Sequence, residues 1–484
     1  MHRLRFIYDL QKEGKIIIER TVFFRVSTST AATKKISTYR KAMKTYKIYF
    51  ITGAVIFISA LAWWFFATIG EFGAPRIDLM QDHRVIGPRT VLEITFSDTG
   101  SGLRETAVTL TQDNQPRVLS KLEFSGPKTK RHVVSIPIDP QALKLHDGPA
   151  TLTVTAADHA LWKNSTAVNR LLNVDVIPPQ IFLLTPVTHI NPGGTGMVLF
   201  RISKTVPAAG IRVNDLNFPA YPIMINNKPC LIAYFAVPVA TASQTTAIKL
   251  YARDEGGNEV WQNLPHLFLK KKFRSDRMNT SDSFLQQKMP EFVTQNPALS
   301  GKSLLEAFIH VNGILREENF RTIQSVCTKS APRQLWEGTF LRMKDAAPMA
   351  QFGDHRTYYH GGKPVGESTH LGVDLASTAN APIEAANNGI VAYTGNLGIY
   401  GNMVMIDHGL GLFSLYAHLS SIDVKTGQEV KKGAALGKSG LTGLAGGDHL
   451  HFSILVGGQF VNPTEWWDPH WIQDNITKKM DVSF

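Results

Sequence analysis

Cysteine is nearly absent: Cys230 and Cys327 are the only two in 484 residues. Two are too few for a disulfide framework, and they spell no metal motif. They lie in different segments, so a bridge would have to cross domains, and both are read as buried free thiols. No low-complexity tract occurs, and the 43% hydrophobic content is ordinary for folded domains. The chain exceeds one ordinary domain, and about three are expected. A basic surplus is also missing from most of it. Residues 1–47 hold twelve Lys or Arg against three Asp or Glu, which leaves only +3 of the net +12 for everything after. That removes nucleic acid as a partner, because such binding needs basic charge clustered on the folded face.

Charge is missing again between Ile48 and Ile69, a run of 22 residues. As a helix it is long enough to cross a ~30 Å hydrocarbon core. Lys34, Lys35, Arg40, Lys41, Lys44 and Lys47 precede it and Glu71 follows. The positive-inside rule then makes 1–47 a basic cytoplasmic segment, 48–69 a transmembrane signal anchor, and the rest extracytoplasmic. Trp63, Trp64, Phe65 and Phe66 sit toward the outer end, as an interfacial belt does. A cleavable signal peptide is the rival reading. Its apolar core is normally about 7–15 residues with a small-residue cleavage site. This run is longer and ends in bulky aromatics.

A repeat follows. Leu152-Thr-Val-Thr-Ala-Ala-Asp158 and Ile248-Lys-Leu-Tyr-Ala-Arg-Asp254 match at an offset of 96. Pro75-Arg-Ile-Asp-Leu and Pro179-Gln-Ile-Phe-Leu open the two units, and Val91–Phe96 and Val198–Ile202 are further matched strands. Short alternating strands in units of about 100 residues predict β-sandwiches over 75–177 and 178–272. Pro178-Pro179 marks the boundary. The Ala-x-Asp…Asn ending resembles bacterial immunoglobulin-like domains, which implies a spacer or a surface for envelope partners. Residues 273–335 read as a polar linker and a helical segment. Leu304, Phe308, Ile309, Val311, Ile314 and Leu315 have helical spacing, Ser303 and Glu306 form a capping-box pattern, and Gly313 interrupts. A plain connector is the simpler reading of this segment. Packing beside a catalytic groove is the other.

Three stretches in 336–484 carry chemistry: His370-Leu-Gly-Val-Asp374, Tyr416-Ala-His418-Leu-Ser420 and His449-Leu-His451. In a strand, residues two apart share a face, so His449 and His451 can both face one site if 449–456 is a strand. Residues 370–375 read as a turn entering a strand, which can bend His370 and Asp374 inward. Zinc in catalytic sites usually takes three protein ligands and leaves the fourth position to water. These stretches supply two imidazoles and a carboxylate for such an ion, with two further imidazoles beside it. The remaining histidines read as structural or surface: His408 at a strand end, His355 and His360 in a loop, His470 exposed. Glycines from Gly389 to Gly440 punctuate short apolar strands, so a mostly antiparallel β domain is expected.

Residues Trp336 to Pro463 resemble the M23 family of zinc metallopeptidases, the LytM- and lysostaphin-like cell-wall endopeptidases. The resemblance runs through Trp336-Glu-Gly-Thr-Phe, Phe352-Gly-Asp-His-Arg356, His370-Leu-Gly-Val-Asp374, Tyr416-Ala-His-Leu-Ser420, Gly447-Asp-His-Leu-His-Phe452 and Asn462-Pro463. It implies His370, Asp374 and His451 as zinc ligands, with His418 and His449 as catalytic histidines. Which of the two serves as base stays open. A tyrosine that some members place ahead of the first ligand has no counterpart at the same spacing; Tyr358 and Tyr359 are nearby. The implied activity is hydrolysis of peptidoglycan stem-peptide crosslinks, either glycine bridges or D-Ala–diaminopimelate links, by a membrane-anchored periplasmic enzyme. Two other readings are a non-catalytic activator or scaffold of wall hydrolases and a peptidase acting on protein. The complete set of five residues counts against the first.

Overall fold

The computed structural model describes residues 30–68, 73–81, 84–127, 129–241 and 246–482. The chain is mainly β, with one long N-terminal helix. Helix α1 (Thr30–Thr68) contains the apolar stretch Met43–Phe66 of 24 residues, none of it buried by the rest of the protein. At 1.5 Å per residue that stretch spans ~36 Å, enough to cross a hydrocarbon core. Among the described residues it is the one helix long and apolar enough to do so. Most of the basic segment, residues 1–29, lies outside the described residues.

The first repeat unit is two sheets around one core. Arg76–Leu79, Val91–Ser97 and Arg131–Pro137 form the smaller sheet; the larger runs through Val85–Ile86, Ser165–Val174, Gly148–Asp158, Leu103–Gln112 and Gln115–Glu123. Alternation sends Leu92, Ile94 and Phe96 from one sheet against Val108, Leu110, Leu152 and Val154 from the other. The second unit repeats the plan with two four-stranded sheets built from Ile181 to Asn263. The shared Ala-x-Asp…Asn pattern has a structural use in both. Asn164 Nδ2 donates to Asp158 Oδ2 at 2.9 Å, and Asn258 Nδ2 donates to Asp254 Oδ2 at 3.0 Å, so a buried carboxylate closes each turn. Between the units, Lys204 Nζ stands 2.5 Å from Asp175 Oδ1 and 2.5 Å from Asp254 Oδ2.

The second sandwich and the C-terminal domain share one continuous core. Trp466 sits at their junction, fully buried, with ring centroids 6.2 Å from Tyr234, 5.4 Å from Trp336 and 5.3 Å from Phe340. Its Nε1 donates to Thr195 Oγ1 at 3.3 Å, and the neighbouring Glu465 Oε2 accepts from Thr195 N at 2.9 Å. Both cysteines are buried free thiols.

The C-terminal domain centres on an antiparallel sheet in the order Ala347–Ala350, Val373–Ala376, Leu450–Val456, Leu412–Leu419, Asn402–Gly409, Gly389–Asn396, Glu429–Val430. Its middle strands, 402–409, 412–419 and 450–456, are buried along almost their whole length, including the polar positions Asp407, His408, Ser414, His418, His451 and Ser453. The stretch 273–335 is built into this domain and does not run free as a linker. Ser275–Asn279 pairs in parallel with His355–His360; its side chains are mostly exposed, so backbone bonding holds the strand and leaves no apolar period to read. Helices α2 (Asp282–Gln295), α3 (Leu304–His310) and α4 (Arg316–Cys327) follow, with a π turn over Val311–Leu315 at Gly313. The capping box forms: Ser303 Oγ accepts from Glu306 N at 3.3 Å, and Ser303 N donates to Glu306 Oε2 at 2.8 Å.

Trp466→Ala removes the ring on which the junction packs and is expected to cost about 3–5 kcal/mol; an unchanged denaturant midpoint would refute that role. Burial pushes the Glu465 carboxyl up from 4.5 to about 7, with the Thr195 hydrogen bonds and Lys271 opposing it. Between those limits the folded state holds a proton that the unfolded state releases. The stability present below pH 4.5 is therefore lost as pH rises through about 7. Relative to Glu465→Gln, the unchanged protein is expected to lose up to roughly 3 kcal/mol across this window, read from urea melts at its two ends. Parallel pH profiles would dismiss the assignment.

Candidate metal centre

Strand Val373–Ala376 pairs with Leu450–Val456 so that Asp374 is directly opposite His451. Both side chains therefore emerge on one face, while Leu450 and Phe452 point into the core behind it. His370 precedes the strand and is pinned to the Phe352-Gly-Asp-His turn: His370 N donates to Asp354 O at 2.9 Å, and Gly353 N donates to His370 O at 2.7 Å. Gly372 is needed between them. A Cβ at this position would lie 2.6 Å from His451 Nε2 and from Ser453 Oγ.

Three donor atoms converge. His370 Nε2 is 2.9 Å from Asp374 Oδ1 and 3.1 Å from His451 Nδ1, and His451 Nδ1 is 2.9 Å from Asp374 Oδ1. They form the one His/Asp group among the described residues that could hold a metal ion. The outer ring nitrogens orient them. His370 Nδ1 donates to Gln351 O at 2.8 Å, which leaves Nε2 as the lone-pair nitrogen of the neutral ring, and His451 Nε2 meets Ser453 Oγ at 3.1 Å. Two lone pairs and a carboxylate oxygen aimed at one point are an acceptor cluster that a cation satisfies. Tetrahedral zinc holds such donors at ~2.0–2.2 Å each and hence ~3.3 Å apart. The observed separations fit that ion with small adjustment.

The two further histidines stand beside the triangle. His418 ends strand Leu412–Leu419 with φ +65, a left-handed conformation uncommon for a residue with a side chain. Its Nδ1 donates to Thr442 O at 2.9 Å, and its ring centroid is 4.8 Å from that of His449 and 5.8 Å from that of His451. His449 Nδ1 donates to Gly447 O at 2.8 Å, and its Nε2 lies 3.5 Å from Asp374 Oδ1. Burial, helped by the neighbouring imidazoles, holds His418 well below the usual histidine range. Burial also lowers His451, to about 4. His449 moves the other way: burial opposes its charge, but Asp374 outweighs burial and raises it. Burial works to raise Asp374, yet the surrounding imidazoles of His370, His449 and His451 hold it well below the carboxylate range.

All five residues line one cavity of about 530 Å³. Arg356 also lines it and places Nη2 3.3 Å from Asp374 Oδ2, steadying the carboxylate. Arg356 lies inside a motif the sequence singled out, but with no role attached. Tyr400 lines the cavity too, its ring 5.8 Å from His451; its neighbour Gly401, at φ +61, marks the tight turn that puts it there. Of the two tyrosines ahead of the first ligand, Tyr358 faces the cavity and Tyr359 lies under the Arg277 guanidinium at 3.7 Å. Helices α2 to α4 supply a wall, through Phe284, Phe308 and Arg316. The other histidines stay outside the cavity. His408 is fully buried, bonded to Asn388 O and Ser414 Oγ at 2.7 Å each, and lowered to about 4 by burial. His355 faces Glu367, His360 bonds to Thr280 O, and the side chain of His470 is 94% exposed.

The chain is similar to known proteins over the segment that carries these residues. Residues 368–463 match the model of Peptidase family M23. Over 94 residues the chain is 42% identical to the DD-carboxypeptidase/endopeptidase Mpg of Neisseria meningitidis serogroup B, covering 19% of this chain and 22% of that protein. Over 93 residues it is 42% identical to the peptidoglycan DD-endopeptidase ShyA of Vibrio cholerae serotype O1, again 19% and 22%. Over 94 residues it is 39% identical to the lipoprotein NlpD of Yersinia enterocolitica, covering 19% of this chain and 96% of that sequence. The match spans about a fifth of the length of Mpg and ShyA. A segment that holds the whole donor triangle and both flanking histidines is the segment that matches, and through it the chain belongs to peptidase family M23.

Proposed function

We propose that the chain is a zinc metalloendopeptidase that hydrolyses peptide crosslinks of peptidoglycan. The observation that carries this reading is the triangle of His370, Asp374 and His451 opening into a cavity beside His418 and His449. The names of the relatives Mpg and ShyA support the substrate class. In this reading His370 Nε2, Asp374 Oδ1 and His451 Nδ1 hold the ion. A bound zinc ion supplies Lewis acidity, which acidifies water and polarises the scissile carbonyl.

The chain's own groups divide the remaining work. His418 is neutral and donates its Nδ1 proton to a carbonyl, so its Nε2 lone pair is free to accept a proton from water. His449, with Nδ1 held by Gly447 O and its ring 4.8 Å from that of His418, stands where it can donate a hydrogen bond to the developing oxyanion and a proton to the leaving amine. Arg356 keeps Asp374 turned so that Oδ1 faces the imidazoles. Helix α1 anchors the protein in the inner membrane of a Gram-negative envelope, with the basic segment cytoplasmic and the catalytic domain periplasmic. The two sandwiches serve as Ig-like spacers that can also meet envelope partners. A scaffold without catalysis needs no complete ligand set, and the set here is complete.

Purified sacculi digested with the protein, with product masses measured and a chelator control, test the reading. His370→Ala, Asp374→Ala and His451→Ala are each expected to drop bound zinc from about one per chain to near zero. His418→Ala and His449→Ala are expected to keep the metal and to lower kcat by about 100- to 10,000-fold. Full turnover by His449→Ala would contradict the division of roles, and intact sacculi under all conditions would contradict the substrate.

A further inference from the structure

The cavity is asymmetric in a way that the donor triangle does not explain. One wall comes from the segment 275–327, through side chains that bond to no metal ligand. Phe284, Phe308 and Tyr358 form an edge-to-face row, with ring centroids 6.3 Å and 5.4 Å apart. Phe308 and Tyr358 belong to the core, so the open part of this wall is the half-buried Phe284 beside the exposed Met278, where an aliphatic or methyl-bearing side chain is removed from water. A run of glycine residues offers this wall nothing to cover.

Arg316 stands on the same wall, and of the two arginines lining the cavity it is the one that lacks an acidic partner. Arg356 faces Asp374 at 3.3 Å. Asp448 accepts from Ser439 Oγ at 2.5 Å and from Asn380 N at 3.1 Å. No acidic group among the described residues pairs with Arg316. Its guanidinium is held from behind by Asn312, Nε to the carbonyl at 3.1 Å and Nη2 to Oδ1 at 2.9 Å. Asn312 is itself buried and donates to Glu367 O at 3.2 Å. Both residues lie at the π turn Val311–Leu315, a helix irregularity of a kind frequent at functional sites. A partly buried cation with its inner edge fixed and Nη1 left over is preorganised for an external carboxylate. It lines the same cavity as Tyr400 and the His451 ring that Tyr400 packs on.

We infer that Arg316 is a specificity-determining residue that binds a side-chain carboxylate of the substrate. The peptide cut then carries, beside the scissile bond, an aliphatic side chain ending in an anion, not a glycine bridge. This rests on the peptidase reading above and narrows it. The chain holds the stem of that residue on the open part of this wall and its charge on Arg316, in the cavity that the metal triangle also lines.

The test uses the full-length, zinc-loaded protein and three synthetic crosslinked peptides. One has a D-Ala–diaminopimelate link with the side-chain carboxylate free, one has the same link with that carboxylate converted to the carboxamide, and one has a glycine bridge. The free acid is expected to exceed the amide by about 10- to 100-fold in kcat/KM, mostly through KM, as for a hydrogen bond to a charged group, and the glycine bridge is expected to be the poorest. Arg316→Gln should bring the acid-to-amide ratio close to 1, and Arg316→Lys should restore part of it. Arg321→Gln, on an exposed face of α4, should keep the original ratio. Zinc content and circular dichroism verify that each variant is folded. Equal cleavage of acid and amide by the unchanged protein, or an unaltered ratio in Arg316→Gln, overturns the inference while the peptidase reading stands. Cleavage of none of the three peptides overturns both.

Discussion

One strand register governs this protein's chemistry. Asp374 faces His451 because 373–376 pairs with 450–456 in one alignment, and the next pairing sets Ala417 beside His451 so that His418 follows at the strand end. A slip of one residue would turn each of these side chains into the core and bring Leu450 or Phe452 to the surface. The apolar faces forbid that slip. Strand 450–456 is buried along its whole length, so the residues that pack it also fix where its histidine points.

Support for that register extends well beyond the sheet. The turn at Phe352–Arg356 holds His370 through two backbone bonds and Asp374 through a guanidinium. Lys288 of α2 donates to Leu441 O at 2.5 Å, tying the helical segment to the loop that leads to His449. Farther out, the second sandwich shares its core with the C-terminal domain around Trp466. That junction also buries Lys479, whose ammonium is lowered to about 8 by desolvation and donates to Thr188 Oγ1 at 3.3 Å. A sandwich joined through a common core sets where the C-terminal domain sits, which a flexible tether does not.

Burial alone does not make a ligand. His408 and His451 are both buried and both lowered to about 4. His408 has each ring nitrogen bonded to a neutral oxygen and packs on Phe340 at 4.9 Å. Nothing about it calls for a further partner. His451 shares its inner nitrogen with a second imidazole and a carboxylate, and that convergence is what asks for a cation.

The sequence by itself determined which residue types could meet an ion, because His-x-His in a strand and His-x-x-x-Asp at a turn need only local geometry. It likewise determined the long apolar helix, the repeat of two alternating-strand units and the capping box at Ser303, all of which follow from periodicity within a few residues. The place of 275–327 was decided by tertiary structure alone. The strand Ser275–Asn279 is polar and held by backbone bonds, and the helices read more simply as a connector. Their role as a cavity wall depends on residues such as Asn312 and Glu367, which lie far apart in the chain. Arg316, Arg356 and Tyr400 went unread for the same reason: a charge or a ring acquires a role only when distant strands bring an empty space and a neighbour to it.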